Sequence, residues 1–172
     1  MKPTIRTIVF LTIIGLNIAA DQITKVIVRN EVTEGTWSKV MGEFILLTRV
    51  ENTGAMLSAG SNLPPVLRSI FIIWLPLLMI SALFVYILVR RKKLDMVTLG
   101  LLFVTGGGIG NIFDRIMYGS VTDFLIMGWE FARTGIFNIA DVSVMVGVGM
   151  IMVGSYFFTS QEEPVIASDI AS

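Results

Sequence analysis

The sequence contains neither cysteine nor histidine. Without cysteine there is no disulfide bridge and no thiol nucleophile, and without histidine there is no Ser–His–Asp triad. The usual zinc-binding sets, which draw on these two residue types, are excluded as well. The residue types that remain for chemistry are Asp, Glu, Asn, Lys, Arg, Ser, Thr and Tyr.

Charged residues are also scarce, at 15% of the 172 positions, and 13 basic residues balance 13 acidic ones. This balance gives no support for nucleic-acid binding through bulk electrostatics. Hydrophobic residues, in contrast, make up 54% of the chain. A soluble domain of this length has too little interior for so much apolar surface, so we interpret the chain as a lipid-embedded protein.

Four apolar runs are long enough to cross a bilayer, whose ~30 Å hydrocarbon core needs about 20 helical residues. They cover about residues 5–28, 69–89, 96–118 and 137–158. The sequence therefore predicts an all-α membrane protein with four transmembrane helices, in a single domain over residues 1–159. The first run has an alternative interpretation as a cleaved signal peptide, because Lys2 and Arg6 precede its apolar core. Its continuation past Asp21 and the three later runs favour a retained helix.

Basic residues set the predicted orientation. The run Arg90–Lys93 lies in a very short loop, and short basic loops stay on the cytoplasmic side. Both termini are therefore predicted to be cytoplasmic, with outward segments at about 30–68 and 119–136. The first outward segment has a strand-rich composition and an Asn-Thr-Gly turn, which predicts a small β element at about 36–58. The tail 160–172 is predicted to be disordered.

Two of the runs carry polar residues that hydrocarbon would penalise. In the first run, Asp21 and Lys25 follow Asn17 at helical spacing, so the three side chains share one face. They form either a structural ion pair within the bundle or the lining of a site. In the third run, the segment "GGGIGNIFDRI" combines glycines that let helices approach closely with Asn111, Asp114 and Arg115. These polar residues have the same two interpretations, and Asp114 and Arg115, as helical neighbours, pair only imperfectly.

Two further acids, Asp123 and Asp141, lie on either side of the second outward segment. The third run heads outward and the fourth returns inward, so the topology brings both acids to the outer boundary. Asn138 fits the N-cap of the fourth helix, whose N-terminus favours an anionic Asp141. One interpretation makes Asp141 an electrostatic helix cap and Asp123 a solvated loop acid. The other makes them a pair that shares one proton, suited to peptide hydrolysis by activated water, with Asp114 as an alternative partner.

Five motifs in order, "DQITK", "ENTGAMLS", "GGGIGNIFDRI", "GSVTDF" and "FNIADV", give the chain a resemblance to signal peptidase II over about residues 8–158. The resemblance implies a bacterial inner-membrane aspartyl endopeptidase. Such an enzyme removes the signal peptide of a diacylglyceryl-modified prolipoprotein, cutting before the lipidated cysteine. By this resemblance, Asp123 and Asp141 are the catalytic pair and the active site faces the periplasm.

The resemblance also implies a set of supporting residues that orient the pair and bind the substrate backbone. They are Asp21, Lys25, Asn52, Gly54, Gly107, Asn111, Asp114, Arg115, Asn138 and Ala140. It further implies no cofactor, no metal and no nucleic-acid partner. The expected partners are the prolipoprotein and membrane lipid, the enzyme is expected to be a monomer, and cyclic peptide antibiotics of the globomycin type are expected inhibitors.

Two other classes of membrane protein carry buried acids. A small transporter or channel would show repeat-like halves and a polar path reaching both faces. Here the polar residues concentrate toward the outer end, and the second run has no charged residue. A structural assembly factor would use the glycines but would not need two acids at one depth.

Overall fold

The computed structural model describes residues 2–54, 62–91 and 93–159. Within these residues, four helices have the length and apolar composition to cross a membrane, as predicted. They span Pro3–Glu31, Pro65–Arg90, Met96–Tyr118 and Ile139–Phe157. The tail 160–172, for which disorder was predicted, lies outside the described residues.

The helical elements are α1 to α5, and the second span combines two of them. Helix α1 covers Pro3–Glu31, α4 covers Met96–Tyr118 and α5 covers Ile139–Thr159. The second span consists of α2 (Pro65–Ser69), a π-helical turn (Ile70–Trp74) and α3 (Leu75–Arg90). Pro76 lies in the first turn of α3, directly after the π-helical turn. The helical backbone runs on through Trp74 and Leu75, and the adjoining π-helical turn accommodates the N–H that Pro76 lacks.

Helix α4 packs against α1, α3 and α5 and so lies at the centre of the bundle. Its glycines explain how α5 approaches it so closely. A Cβ atom added at Gly100 would come within 2.5 Å of the Gly147 carbonyl oxygen, and one at Gly107 within 2.4 Å of the Ala140 carbonyl oxygen. Glycine at these positions removes the clash, so the first turn of α5 lies directly against the middle of α4.

A four-stranded antiparallel sheet lies where α1 and α4 end and α5 begins, a region we call the sheet end of the bundle. Its strands are β1 (Ser38–Met41), β2 (Ile45–Asn52), β3 (Val121–Trp129) and β4 (Ala132–Arg133), in the order β1-β2-β3-β4. The predicted small β element is confirmed, but the sheet is larger than the sequence indicated.

The second outward segment, 119–136, for which the sequence predicted no β structure, contains β3 and β4. Asp123 is a strand residue that pairs with Val50 of β2. The segment "VTDFLIMGW" is rich in β-branched and aromatic residues, which fit a pleated, half-buried surface. The turn from α4 into β3 uses Gly119, whose φ of +75° is a left-handed conformation that glycine adopts without strain.

Aromatic side chains cluster at the far tip of the sheet. The rings of Phe44 and Trp129 are 4.5 Å apart between centroids, and Trp129 stacks on Phe131 at 6.4 Å. Trp129 and Phe131 are largely exposed. Exposed aromatic side chains beside transmembrane helices are typical of the membrane–water interface, and this aromatic tip has that character.

Candidate active site

Asp123 is the third residue of β3 and is buried, with only 5% of its surface exposed. Its Oδ2 accepts a hydrogen bond from Nδ2 of Asn52 at 2.9 Å, and its Oδ1 accepts one from Nδ2 of Asn138 at 2.7 Å. Burial raises the pKa of the Asp123 carboxyl to about 6; the Asn52 hydrogen bond opposes this rise and the charge of Asp141 adds to it. Asp123 therefore holds a proton more readily than an ordinary aspartate.

Asp141 lies in the first turn of α5, where its geometry is fixed by the start of the helix. The backbone N–H of Asp141 donates to Oδ1 of Asn138 at 3.0 Å, and Oδ2 of Asp141 accepts from the backbone N–H of Asn138 at 3.1 Å. This reciprocal pair is a capping box, so Asn138 is the N-cap that the sequence predicted. The Asp141 carboxylate thus lies at the positive end of the helix dipole.

The side-chain amides of Asn52 and Asn111 are oriented by donors on their oxygen side. Oδ1 of Asn52 accepts from the Gly54 backbone N–H at 3.0 Å, and Oδ1 of Asn111 accepts from Nζ of Lys25 at 2.9 Å and from Nδ2 of Asn138 at 3.1 Å. Because only the carbonyl side of an amide can accept, each NH2 group must point the other way. Both therefore donate to a carboxylate of the acid pair, Asn52 to Asp123 and Asn111 to Asp141 at 2.8 Å.

Beneath the acid pair, the fully buried ammonium of Lys25 contacts three oxygen atoms. Its Nζ lies 2.8 Å from Oδ2 of Asp21, 3.0 Å from Oδ2 of Asp114 and 2.9 Å from Oδ1 of Asn111. Three acceptors satisfy the three hydrogens of an ammonium group. Oδ1 of Asp21 accepts from the backbone N–H of Ala140 at 3.0 Å, which satisfies a donor in the first turn of α5. The Asp21–Lys25 pair is thus a bundle ion pair that also reaches the acid pair through Asn111.

Asp114 belongs to this buried ion cluster. Its Oδ2 lies 3.0 Å from Nη2 of Arg29 as well as from Lys25, and its Oδ1 accepts from Nε2 of Gln22 at 3.1 Å. The backbone N–H of Thr122 approaches the same Oδ2 at 3.4 Å. Asp114 pairs with cations of α1 rather than with Arg115, its imperfectly aligned neighbour. This environment favours a structural role for Asp114 over a place in the acid pair.

Arg115 is the cation on the other side of the acid pair. Its Nη2 donates to the Gly54 carbonyl oxygen at 3.1 Å, and its Nη1 donates to the Asn111 carbonyl oxygen at 3.3 Å. The negative charges of Asp123 and Asp141 both act on its guanidinium. Arg115 therefore ties the end of β2 to α4 and supplies positive charge beside two carboxylates.

The structure brings together at the sheet end the residues that the resemblance implies, whereas Asn17 bonds separately to Ser143 and to the Ile13 carbonyl oxygen. Asp21, Lys25, Asn52, Gly54, Asn111, Asp114, Arg115, Asp123, Asn138, Ala140 and Asp141 form one connected set of hydrogen bonds and ion pairs, and Gly107 provides the space for it. Sequence reasoning missed Gln22, Arg29, Glu51 and Thr122, which extend this network. Arg29 had a signal, since it continues the spacing of Asp21 and Lys25 by one more helical turn.

Two carboxylates in one hydrogen-bonded unit, in opposite environments, are suited to general acid–base chemistry. Asp123 is buried and has a raised pKa, whereas Asp141 lies at the positive N-terminal end of α5. One carboxyl can thus donate a hydrogen bond to a carbonyl oxygen while the other accepts a proton from water.

Comparison with known proteins gives consistent matches over most of the chain. The family model for signal peptidase (SPase) II matches residues 13–157. The lipoprotein signal peptidase of Pelodictyon phaeoclathratiforme is 31% identical over 170 residues, covering 94% of this chain and 98% of that protein. That of Borrelia turicatae is 31% identical over 156 residues, covering 86% of this chain and 89% of that protein.

A solved structure shows the same fold. A bacterial membrane enzyme determined by the in meso method at 2.3 Å resolution superposes with a TM-score of 0.78 at 25% identity, covering 90% of this chain and 92% of that one. The matched family region contains both Asp123 and Asp141 and all four membrane-spanning helices in whole or in part. This chain therefore belongs to the signal peptidase II family and is a multi-pass membrane peptidase.

Proposed function

We propose that this protein removes the signal peptide from diacylglyceryl-modified prolipoproteins, cutting before the lipidated cysteine, with Asp123 and Asp141 as its catalytic acids. The observation that carries the proposal is the position of Asn138. Its side chain donates to Asp123 at 2.7 Å, and its backbone N–H donates to Asp141 at 3.1 Å. One residue therefore holds both carboxylates, which makes them a pair rather than two independent polar groups.

The environments of the two acids support different roles for them. Asp141, ionised at the start of α5, takes a proton from water, and the water oxygen forms a bond to the scissile carbonyl carbon. Asp123, protonated, donates to the carbonyl oxygen as negative charge develops on it. Bound substrate excludes water from the site, which raises the pKa of Asp123 beyond its value of about 6 and keeps its proton in place.

The tetrahedral intermediate then breaks down with the proton that Asp141 collected. The carbonyl double bond re-forms, the carbon–nitrogen bond breaks, and the leaving nitrogen takes that proton, which returns Asp141 to its ionised form. Arg115 and the NH2 groups of Asn52 and Asn111 face the developing charges from fixed positions. Fixed dipoles and charges of this kind stabilise a transition state without reorganising at the moment of reaction.

The location of the site suits a lipid-anchored substrate. The acids lie where α4 ends and α5 begins, at one end of the bundle, and the basic loop at Arg90 and Arg91 lies at the opposite end of α3 and α4. By the positive-inside rule we place that loop and both termini in the cytoplasm, with the active site at the periplasmic face of the bacterial inner membrane. We further propose that the enzyme acts as a monomer without a cofactor, with globomycin-type cyclic peptides as its inhibitors.

The proposal is tested by cleavage of a purified diacylglyceryl prolipoprotein. Asp123→Asn and Asp141→Asn should each abolish cleavage while leaving a folded, inserted protein, because an amide neither accepts the proton nor shares it. Asp114→Asn should lower activity only together with stability, since its partners are structural cations. Asp95→Asn serves as a control, because Asp95 caps the start of α4 at the opposite end of the bundle. Near-native turnover by Asp123→Asn, with none by Asp114→Asn, would show that the acid pair is wrongly assigned.

A further inference from the structure

Arg29, near the end of α1, contacts three residues on the two sides of the turn that joins α4 to β3. Its Nη2 lies 3.0 Å from Oδ2 of Asp114, and its guanidinium carbon lies 4.0 Å above the ring centroid of Tyr118. Its Nε donates to Oγ1 of Thr122 at 2.7 Å. Asp114 and Tyr118 belong to the last turns of α4, whereas Thr122 belongs to β3. One side chain therefore joins the end of the helix to the start of the strand.

The residue that Arg29 holds on the strand is directly next to Asp123. Thr122 is fully buried, and its hydroxyl donates to the carboxylate of Glu51 on β2 while it accepts from Arg29. The backbone N–H of Thr122 points to Asp114, which holds the Val121–Thr122 peptide against α4. Asp123 sits on the sheet, while Asp141 and Asn111 sit on the helices. The distance between the two acids therefore depends on how the sheet is held against the bundle.

We propose that Arg29 is a positioning residue for the reaction, acting through the Thr122 hydroxyl. It sets where β3 presents Asp123 to the helical half of the site and does not itself touch substrate. A displacement of about 1 Å at a reacting group lowers the rate steeply, so the effect falls on kcat. The inference rests on the proposed function, because it takes Asp123 as a reacting carboxylate.

The experiment measures kcat, KM and Tm on the full-length protein with diacylglyceryl prolipoprotein as substrate. Thr122→Val should lower kcat about tenfold with KM and Tm nearly unchanged, whereas Thr122→Ser, which keeps the hydroxyl, should stay within about twofold of the wild type. Arg29→Met should match Thr122→Val. Arg29→Lys, which keeps the charge opposite Asp114 but not the Nε donor, should also lose about tenfold.

In the double variant Arg29→Met/Thr122→Val, kcat should fall no more than about threefold below that of either single variant, because both substitutions remove the same hydrogen bond between Arg29 and Thr122. Ser120→Ala is the matched control. The Ser120 hydroxyl also donates to Glu51, at 2.8 Å, but no contact joins it to Arg29, so its removal should leave kcat unchanged.

Three results would overturn the inference. They are a Thr122→Val enzyme with normal kcat, full activity in Arg29→Lys, or losses in the double variant that multiply to about a hundredfold. Asp123→Asn is measured beside these variants to separate the two proposals. If Asp123→Asn cleaves normally, the assignment of the acid pair has failed. If Asp123→Asn is inactive and Thr122→Val is normal, only the positioning role has failed.

Discussion

The raised pKa of Asp123 predicts that the active site costs stability in a pH-dependent way. An ordinary aspartate has a pKa of 3.8, and burial lifts that of Asp123 to about 6. Between these values the native state keeps a proton that the unfolded chain has released. Stability from this group is therefore present at low pH and is lost as pH rises from the lower value through the higher one.

The size of this effect follows from the shift. About two pH units at roughly 1.4 kcal/mol each amount to ~3 kcal/mol at neutral pH. Asp123→Asn removes the titration and so removes this cost. The same change sets an amide NH2 against the donors of Asn52 or Asn138, at a cost of about 1–2 kcal/mol that does not vary with pH. Comparing two pH values isolates the titration, because the constant cost cancels.

Thermal unfolding in detergent, at about pH 4 and about pH 7.5, would measure it. The Tm of Asp123→Asn minus the Tm of the wild type should be roughly 6–12 °C higher at the higher pH than at the lower pH. Asp95→Asn is the control for the effect of pH. Although partial burial works the other way, hydrogen bonds from the Thr98 backbone and side chain and from Arg91 lower the pKa of Asp95 below 3.8, so its stabilising charge is largely present at both pH values and the Tm offset of this variant should change little between them. If the Tm of Asp123→Asn differs from that of the wild type by the same amount at both pH values, the reasoning is refuted.

Three further predictions concern activity and packing. Because the Asn52 hydrogen bond opposes the rise in the pKa of Asp123, Asn52→Ala should move the basic limb of the kcat/KM profile to higher pH, and a limb that stays in place would count against Asp123 as the proton donor. Gly107→Ala should lower both Tm and cleavage, since its Cβ would lie 2.4 Å from the Ala140 carbonyl oxygen. Gly149→Ala, whose Cβ would have nothing within 4 Å, should leave Tm unchanged or raise it slightly. Equal changes in Tm and cleavage for the two variants would contradict the packing argument. Cleavage should persist in excess chelator, because the acid pair is held by amide donors; strict recovery by one added divalent ion would instead indicate a carboxylate-bound metal.

The helical half of the site could be predicted from the sequence because its signals are local. Runs of about 20 apolar residues define the spans, and helical spacing places Asp21 and Lys25 on one face. The motif "FNIAD" contains both halves of a capping box within four residues. Each of these patterns depends on residues that are neighbours along one helix.

The sheet half could not be predicted in the same way. Asp123 pairs with Val50 across 73 positions, and Arg29 bonds Thr122 across 93. Pairing of this kind depends on where the helices place two distant segments, which no short window of sequence records. Asp123 also interrupts the apolar character of its strand, so the second outward segment carries no clear sequence signal for β structure.

The separation of the two acids between sheet and bundle makes the lipid a variable of the reaction. The helices take their tilt and depth from the hydrocarbon thickness, whereas the sheet takes its level from the aromatic tip at Trp129 and Phe131. A bilayer thinner or thicker than the natural one therefore shifts the helices relative to the sheet. We expect turnover to pass through a maximum as acyl-chain length is varied in reconstituted vesicles. In Arg29→Met, high turnover should be restricted to a narrower range of acyl-chain lengths. The membrane would then help to set the spacing of the two acids that we propose as catalytic.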